Sequence, residues 1–359
     1  MQAPPAQWLP VHFYDDGAGL SVEWLHFGFA RLVQPFYEQS TARAALRPAF
    51  GLLRLSTPLD AVLPLATAPM PGALVHHMSR CGSTLVAQML AQRDDVTVVV
   101  EAPAFDYVLR AWLAGKASAD HVRGMAGALA RDRHEPAGHR VFKLDAWHVL
   151  AVAQIAMLFP DARSAFLFRD PLEVLVSQAA RPGLHMTRGA VPLPLFGLHG
   201  EERVDDADYP AWVLAGIMRA GIRAVRDHGA LACDYADLPG ALTDRMLPHF
   251  RIAASGAQRE AMHAKAARHS KVPAAPFQPD SECKRAAVTD SLAASAERLG
   301  LARLYHALRH PAAGDGAPGG QRLRVHFDFD RRGSPQLGPV GFVLFPGADG
   351  SLAWRHALR

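Results

Sequence analysis

Cysteine is scarce in this sequence: Cys81, Cys233 and Cys283 are the only three in 359 residues. An odd number without short spacings excludes a disulfide framework and a cysteine metal site. It points to a reducing compartment, and the expected location is cytoplasmic. Long apolar runs are also missing. No stretch approaches the roughly 18 uncharged residues of a membrane helix, so no span is expected. The start, Met1-Gln2-Ala3-Pro4-Pro5, lacks the basic head and apolar core of a signal peptide. The basic residues form no block: 38 Lys and Arg against 34 Asp and Glu give a net charge of +4, spread along the chain. That bias suits a small anionic ligand and argues against nucleic acid. No internal repeat is present, and the histidines, including the pair His76-His77, form no set at metal-ligand spacing, so no metal is expected. What the chain does have is apolar mass: 50% hydrophobic against 20% charged residues, enough for a sizeable core.

The organising stretch is Ala73–Leu90. It opens as a short apolar run, passes through Ser79-Arg80-Cys81-Gly82-Ser83-Thr84, and continues with Leu85, Met89 and Leu90 at helical spacing. A strand, a glycine loop and a helix in that order aim backbone N–H groups at one point, a site for phosphate or a similar anion. Ser83 and Thr84 add hydroxyls and Arg80 adds a planar fork of donors. The loop is not Walker A, because Ser83 stands at the lysine position and His77 where the first glycine belongs.

Around this stretch, strand candidates alternate with helices. Val96–Val100, Arg140–Leu144, Ser164–Phe168 and Gly229–Tyr235 read as strands; 104–131, Trp147–Phe159, the segment after Pro171, and Trp212–His228 read as helices. Alternation predicts an α/β fold with a largely parallel sheet flanked by helices and with ligands at the carboxyl ends of its strands. Residues 1–70 read as an N-terminal extension with one or two helices near 20–47, packed on a main domain at 71–310. Residues 182–210, rich in Pro and Gly, read as a long loop over the site. Further on, 257–269 and 282–309 read as helices and 271–279 as an extended passage. Residues 311–359 read as a linker followed by a short β-rich tail, with strand-like alternation at Leu323, Val325 and Phe327 and again over 342–345.

Further clusters follow strand ends. Phe166-Leu167-Phe168-Arg169-Asp170-Pro171 ends a strand in an arginine, with Ser177 in the first turns of the next helix; together they could grip a second phosphate. Asp234-Tyr235-Ala236-Asp237-Leu238 closes a later strand, and Glu101 and Lys143 close two others. These elements, in this order, resemble those of the sulfotransferase family over about 72–310. The resemblance implies the P-loop-type sulfotransferase fold and 3′-phosphoadenosine 5′-phosphosulfate as co-substrate, without a metal. It implies that Ser79, Arg80, Cys81, Gly82, Ser83 and Thr84 meet the 5′-phosphosulfate, that Arg169 and Ser177 meet the 3′-phosphate, and that Tyr235 lies beside the adenine.

For catalysis the resemblance implies Arg80, Glu101, Lys143 and Asp145. Golgi-type members carry a glutamate base where Glu101 stands. Cytosolic members use a Lys-Thr-His histidine, but here the segment reads Lys143-Leu144-Asp145. Glu101 is therefore the expected base, with Asp145 or His148 as fallback, and Lys143 would stabilise sulfonate charge. The implied reaction moves a sulfuryl group onto a hydroxyl or amine of a small-molecule, carbohydrate or lipid acceptor. Two alternatives stand beside it: a P-loop kinase or NTPase, which the missing lysine opposes, and a non-catalytic nucleotide-binding protein. An iron-oxygenase reading of His326, Asp328 and His356 is discounted.

Overall fold

The computed structural model describes residues 2–15, 17, 19–47, 53–133, 138–268 and 280–311, together with the backbone of 342–346 and 352–356. The chain divides into a large unit, Met1–Gly314, and a small one, Asp315–Arg359.

The extension begins as a sheet. Strands β1 (Trp8–Asp15), β2 (Leu20–His26) and β3 (Arg54–Pro58) pair antiparallel in that order, with helix α1 (Tyr37–Ala45) between the last two. Of the one or two helices expected near 20–47, the structure has one, α1, and the first part of that stretch is strand β2 instead. Val22, Trp24 and Leu25 are β-branched or bulky and fully buried, and Trp24 Nε1 donates to Thr57 Oγ1 across the sheet at 2.9 Å.

Next comes a 3-10 turn over Leu59–Thr67, then β4 (Ala73–His77), α2 (Ser83–Leu90) and β5 (Val96–Val100). The predicted helix over 104–131 is two: α3 (Pro103–Leu113) and α4 (Ala119–Ala130). Gly115 breaks it with φ +73°, and Ser118 starts the second half through a capping box with His121. Helix α4 lies close on the 3-10 turn because Gly124 and Gly127 have no side chains there. A Cβ on Gly124 would lie 2.3 Å from Val62 O, and one on Gly127 2.2 Å from Leu65 O. Backbone cannot swing aside like a side chain, so Gly127→Ala should destabilise the protein by about 1–3 kcal/mol in urea melts. A neutral result would show that the turn is loosely held.

Strand β6 (His139–Lys143) leads to a 3-10 turn at Ala146–Ala151, then α5 (Val152–Leu158), β7 (Arg163–Phe168), α6 (Pro171–Ala180), α7 (Tyr209–His228) and β8 (Leu231–Asp234). All five strands from β4 to β8 run parallel, in the order β5-β6-β4-β7-β8. The α/β expectation is met. Strand β4 is buried at every position, as a strand covered on both faces must be. From β4 the chain moves toward the β5 edge, and from β7 toward the β8 edge. The crevice between these neighbours is therefore the topological switch point, where open α/β sheets bind ligands.

Besides short helical turns, the helices that follow are α8 (Gly256–Ala266), α9 (Ser281–Ala286), α10 (Asp290–Arg298) and α11 (Leu301–Arg309). The single closing helix read over 282–309 is thus three, with Thr289 capping α10 and Gly300 turning at φ +66° before α11. In the small unit, β9 (Phe342–Pro346) pairs antiparallel with β10 (Leu352–His356). The alternation at 323–327, the residues His326 and Asp328, and the passage 271–279 lie outside the described residues. Among the described residues, no helix is long and apolar enough to cross a membrane.

Candidate functional site

The carboxyl edge of the parallel sheet gathers the loop after β4, Glu101 after β5, Asp145 after β6, Arg169 after β7 and Tyr235 after β8. Two cavities open there, of about 420 Å³ beside the β4 loop and about 240 Å³ beside Arg169.

The β4 loop turns through left-handed backbone at Ser79 (φ +63°), Arg80 (φ +51°) and Gly82 (φ +83°). For residues with a Cβ that conformation costs about 1–2 kcal/mol each, which the surroundings must supply. His77 supplies part: its Nδ1 accepts from Ser79 N at 3.0 Å, so its Nε2–H donates to Leu144 O at 2.9 Å. Burial, followed by the Lys143 charge, lowers His77 to about 4 and keeps it neutral. Gln178 supplies another part, donating to Ser79 Oγ and accepting from Gly183 N at 2.8 Å. His77 and Gln178 thus hold the loop, roles the sequence reading did not assign. Their signal was position: one ends the strand and the other lies one residue past Ser177.

Helix α2 starts at Gly82 without any side-chain cap, and its first turn contains no acidic residue. Its N-cap residue offers no side chain to the first-turn N–H groups, and the helix start carries positive potential at the larger cleft, which Ser83 and Thr84 line. Helix α6 is the contrast: Asp170 accepts from Leu172 N at 2.9 Å and Glu173 sits in the first turn. The two helix starts differ in that only α6 has a side-chain cap and an acidic residue in its first turn.

Ser79, Arg80, Ser83, Thr84, Glu101, Lys143 and Asp145 all line the larger cleft. Arg80 Nη2 donates to Arg181 O at 2.6 Å, which reaches from the loop to the end of α6. Lys143, 2% exposed, pairs with Glu101, which also lies 3.2 Å from His77 Nε2. Burial alone would raise the Glu101 carboxyl, but Lys143 and His77 outweigh it and hold it well below the ordinary carboxylate range. Asp145 shifts the other way: burial, then the charges of Glu101 and Asp106, raise its carboxyl well above the usual value. Cys81 differs from its loop neighbours. Its side chain is fully buried and its thiol donates to Leu167 O at 3.2 Å, so only its backbone can face a ligand.

The far end of the cleft is built on Asp106. Its Oδ1 accepts from Trp147 Nε1 and His148 Nε2, both at 2.8 Å, and its Oδ2 pairs with Arg110 at 2.6 Å. His148 Nδ1 accepts from Asp145 N, so this histidine is spoken for on both sides and is 1% exposed behind the cleft wall. Donor atoms of Asp106, Asp145 and His148 lie within 4.8 Å of one another. The hydrogen bonds and cap just described account for that closeness without an ion.

Arg169 lines the smaller cavity and stacks on the Tyr235 ring, with its guanidinium carbon 4.0 Å from the ring centroid. Its Nε donates to Glu173 Oε2 and its Nη2 to Asp280 Oδ1, both at 2.7 Å. Asp280 begins the approach to α9, whose Ser281 hydroxyl lies 3.1 Å from the same Nη2. Ser177 does not join this group. Its hydroxyl donates back to Glu173 O at 2.9 Å within α6, and it lines neither cavity.

The passage read as a loop over the site covers it: Gly183, Leu184, His185 and Ala190 line the larger cleft. The cysteines are all free, with Cys81 and Cys233 buried and Cys283 exposed.

The sequence matches no protein-family model and no curated protein. Among solved structures, the chain is similar to the sulfotransferase STF9 from Mycobacterium avium, with 13% identity, a TM-score of 0.40, and coverage of 57% of this chain and 71% of that one.

Proposed function

We propose that this protein is a sulfotransferase that takes a sulfuryl group from 3′-phosphoadenosine 5′-phosphosulfate to a hydroxyl or amine of a small acceptor. The observation that carries the proposal is the uncapped, acid-free start of α2 behind a left-handed loop, with Arg80 and Lys143 in the same cleft. The donor set fits a phosphosulfate: backbone N–H groups, the hydroxyls of Ser83 and Thr84, and two cations. The adjoining cavity suits the nucleotide end, with Tyr235 as an aromatic face and Arg169 as a cation for the 3′-phosphate.

The bound donor would supply the transferable sulfuryl group. The chain's own part is electrostatic and geometric. Arg80 and the loop N–H groups stabilise charge on the leaving phosphate, and Lys143 stabilises charge on the sulfonate. The ion pair with Lys143 makes Glu101 a weaker base than a free carboxylate, so its main contribution is to hold that lysine. Ser83 at the Walker lysine position opposes the kinase alternative, which would need magnesium and a lysine on the transferred phosphate.

Calorimetric titration with adenosine 3′,5′-bisphosphate in EDTA tests the proposal. Wild type should bind, and Arg169→Ala should bind at least about tenfold more weakly, the value of a charge-assisted hydrogen bond. Asp280 gives a second, oppositely signed result. Its carboxylate sits on Arg169 Nη2, where a phosphate oxygen would compete for the same donor. Asp280→Ala should therefore tighten binding several-fold. Failure to bind the bisphosphate, with ATP and magnesium binding instead, would replace the proposal by the kinase alternative.

A further inference from the structure

Transfer to a hydroxyl or amine releases a proton, and the cleft groups differ in how far they are already committed. Glu101 is held by Lys143 and His77. His77 uses both ring nitrogens, on Ser79 N and Leu144 O. The Asp145 side chain is already engaged, accepting from the His148 backbone in a capping box. His148 is bonded on both sides and does not line the cleft.

His185 is different. It lines the larger cleft, is 4% exposed, and packs its ring 5.7 Å from that of Trp147. Its Nε2 is buried without a hydrogen-bond partner among the described residues. Such an atom costs about 1–3 kcal/mol unless something fills the bond. Burial foremost pushes the imidazole down to about 4, the Arg80 charge acts in the same sense, and Glu101 acts in the opposite one. The ring is therefore neutral and keeps a lone pair at physiological pH.

We propose that His185 is the base of the transfer, its imidazole taking the proton of the acceptor. This rests on the sulfotransferase reading above. In the step, the acceptor O–H or N–H bond breaks and its proton passes to a ring nitrogen of His185. The acceptor's electron pair forms the new bond to sulfur. The bond from sulfur to the bridging phosphate oxygen breaks, and its electrons leave on the phosphate. The imidazolium so formed lies within the field of the Glu101 carboxylate and returns its proton to water after product release. Glu101 is then a positioning residue for both cations.

The test compares full-length wild type, His185→Asn and Glu101→Gln. Nucleotide binding is followed calorimetrically with adenosine 3′,5′-bisphosphate. Transfer from 3′-phosphoadenosine 5′-phosphosulfate is followed to 4-nitrophenol, phenol, a primary alcohol and water. His185→Asn should bind the bisphosphate within about twofold of wild type, yet lose about 100-fold in kcat on the weakly acidic acceptors. The loss should shrink toward 4-nitrophenol, whose proton leaves without help, a trend that a misfolded or loosened lid would not produce. Glu101→Gln should slow all acceptors alike. An equal loss on every acceptor in His185→Asn, or the graded loss appearing in Glu101→Gln instead, overturns the assignment. So does a wild type that binds the bisphosphate but transfers to none of these acceptors, water included. Absence of bisphosphate binding in wild type overturns the underlying proposal, a separate outcome.

Discussion

Lys143→Met is expected to destabilise the protein by about 1–3 kcal/mol and to abolish transfer, because it leaves the partly buried Glu101 carboxylate without its countercharge. Methionine matches the volume of the lysine stem, so lost packing is not the main effect. Lys143 is 2% exposed at the end of β6, and Glu101 N bonds to the Lys143 carbonyl at 2.8 Å, so the two residues are held side by side at adjacent strand ends. Glu101 itself has φ +48°, a backbone conformation that adds to what the pair must hold in place.

The pH dependence follows from the direction of the Glu101 shift. In wild type the folded carboxyl is more acidic than in the unfolded chain. Its stabilisation is fully present above the unfolded value of 4.5 and is lost as pH falls through the lower folded value. In Lys143→Met burial is no longer outweighed, so the folded carboxyl should become less acidic than the unfolded one. Its contribution is then present at low pH and lost as pH rises. Urea melts between about pH 4 and 8 should therefore show the destabilisation of the variant relative to wild type growing as pH rises. Lys143→Met with Glu101→Leu removes both charges and should recover most of the loss, since no charge is then left without its partner. A single variant as stable as wild type would show that the two side chains are solvated and the pair is weak.

The sheet was legible in the sequence because its strands are short β-branched runs with punctuation on both sides, and their alternation with helices leaves little topological choice. The N-terminal strands were less legible. Between Leu20 and Phe36 the aromatic residues fit either period, and only pairing with β3, some thirty positions away, selects the strand. Helix breaks at Gly115 and Gly300 were readable as isolated glycines, but a tolerated helical glycine looks the same until its φ is known. At the site, the loop and Arg169 were marked by spacing and charge. His77, Gln178 and His185 were not, because their roles arise from groups brought together by the fold: Ser79 and Leu144 for one, Ser79 and Gly183 for the next, and for the third a burial that leaves Nε2 without a partner among the described residues. Arg169 shows the reverse limit. Its charge was visible, but the hold of Asp280, far along the chain, was not.

Gly82→Ala is expected to weaken adenosine bisphosphate binding by about 100- to 1,000-fold, the loss of roughly two charge-assisted hydrogen bonds at the start of α2. Two separate constraints meet at this residue. Its φ of +83° is strained for any residue with a Cβ. An added Cβ would also lie 2.7 Å from Leu238 Cδ1 and 2.8 Å from Tyr235 Cδ2. The leucine is flexible and can rotate away, but the tyrosine ring is held against Arg169, so displacing it disturbs the second cation as well as the loop. Leu238→Ala in the same chain separates these effects. It removes one clash and should restore part of the stability, yet it leaves both the strained φ and the Tyr235 clash, so binding should stay weak. Should the double variant bind like wild type, sterics at Leu238 alone would be responsible and the loop conformation would not matter. Should Gly82→Ala itself bind like wild type, the β4 loop is not the anion site, and the cations Arg80 and Lys143 serve some other ligand in that cleft.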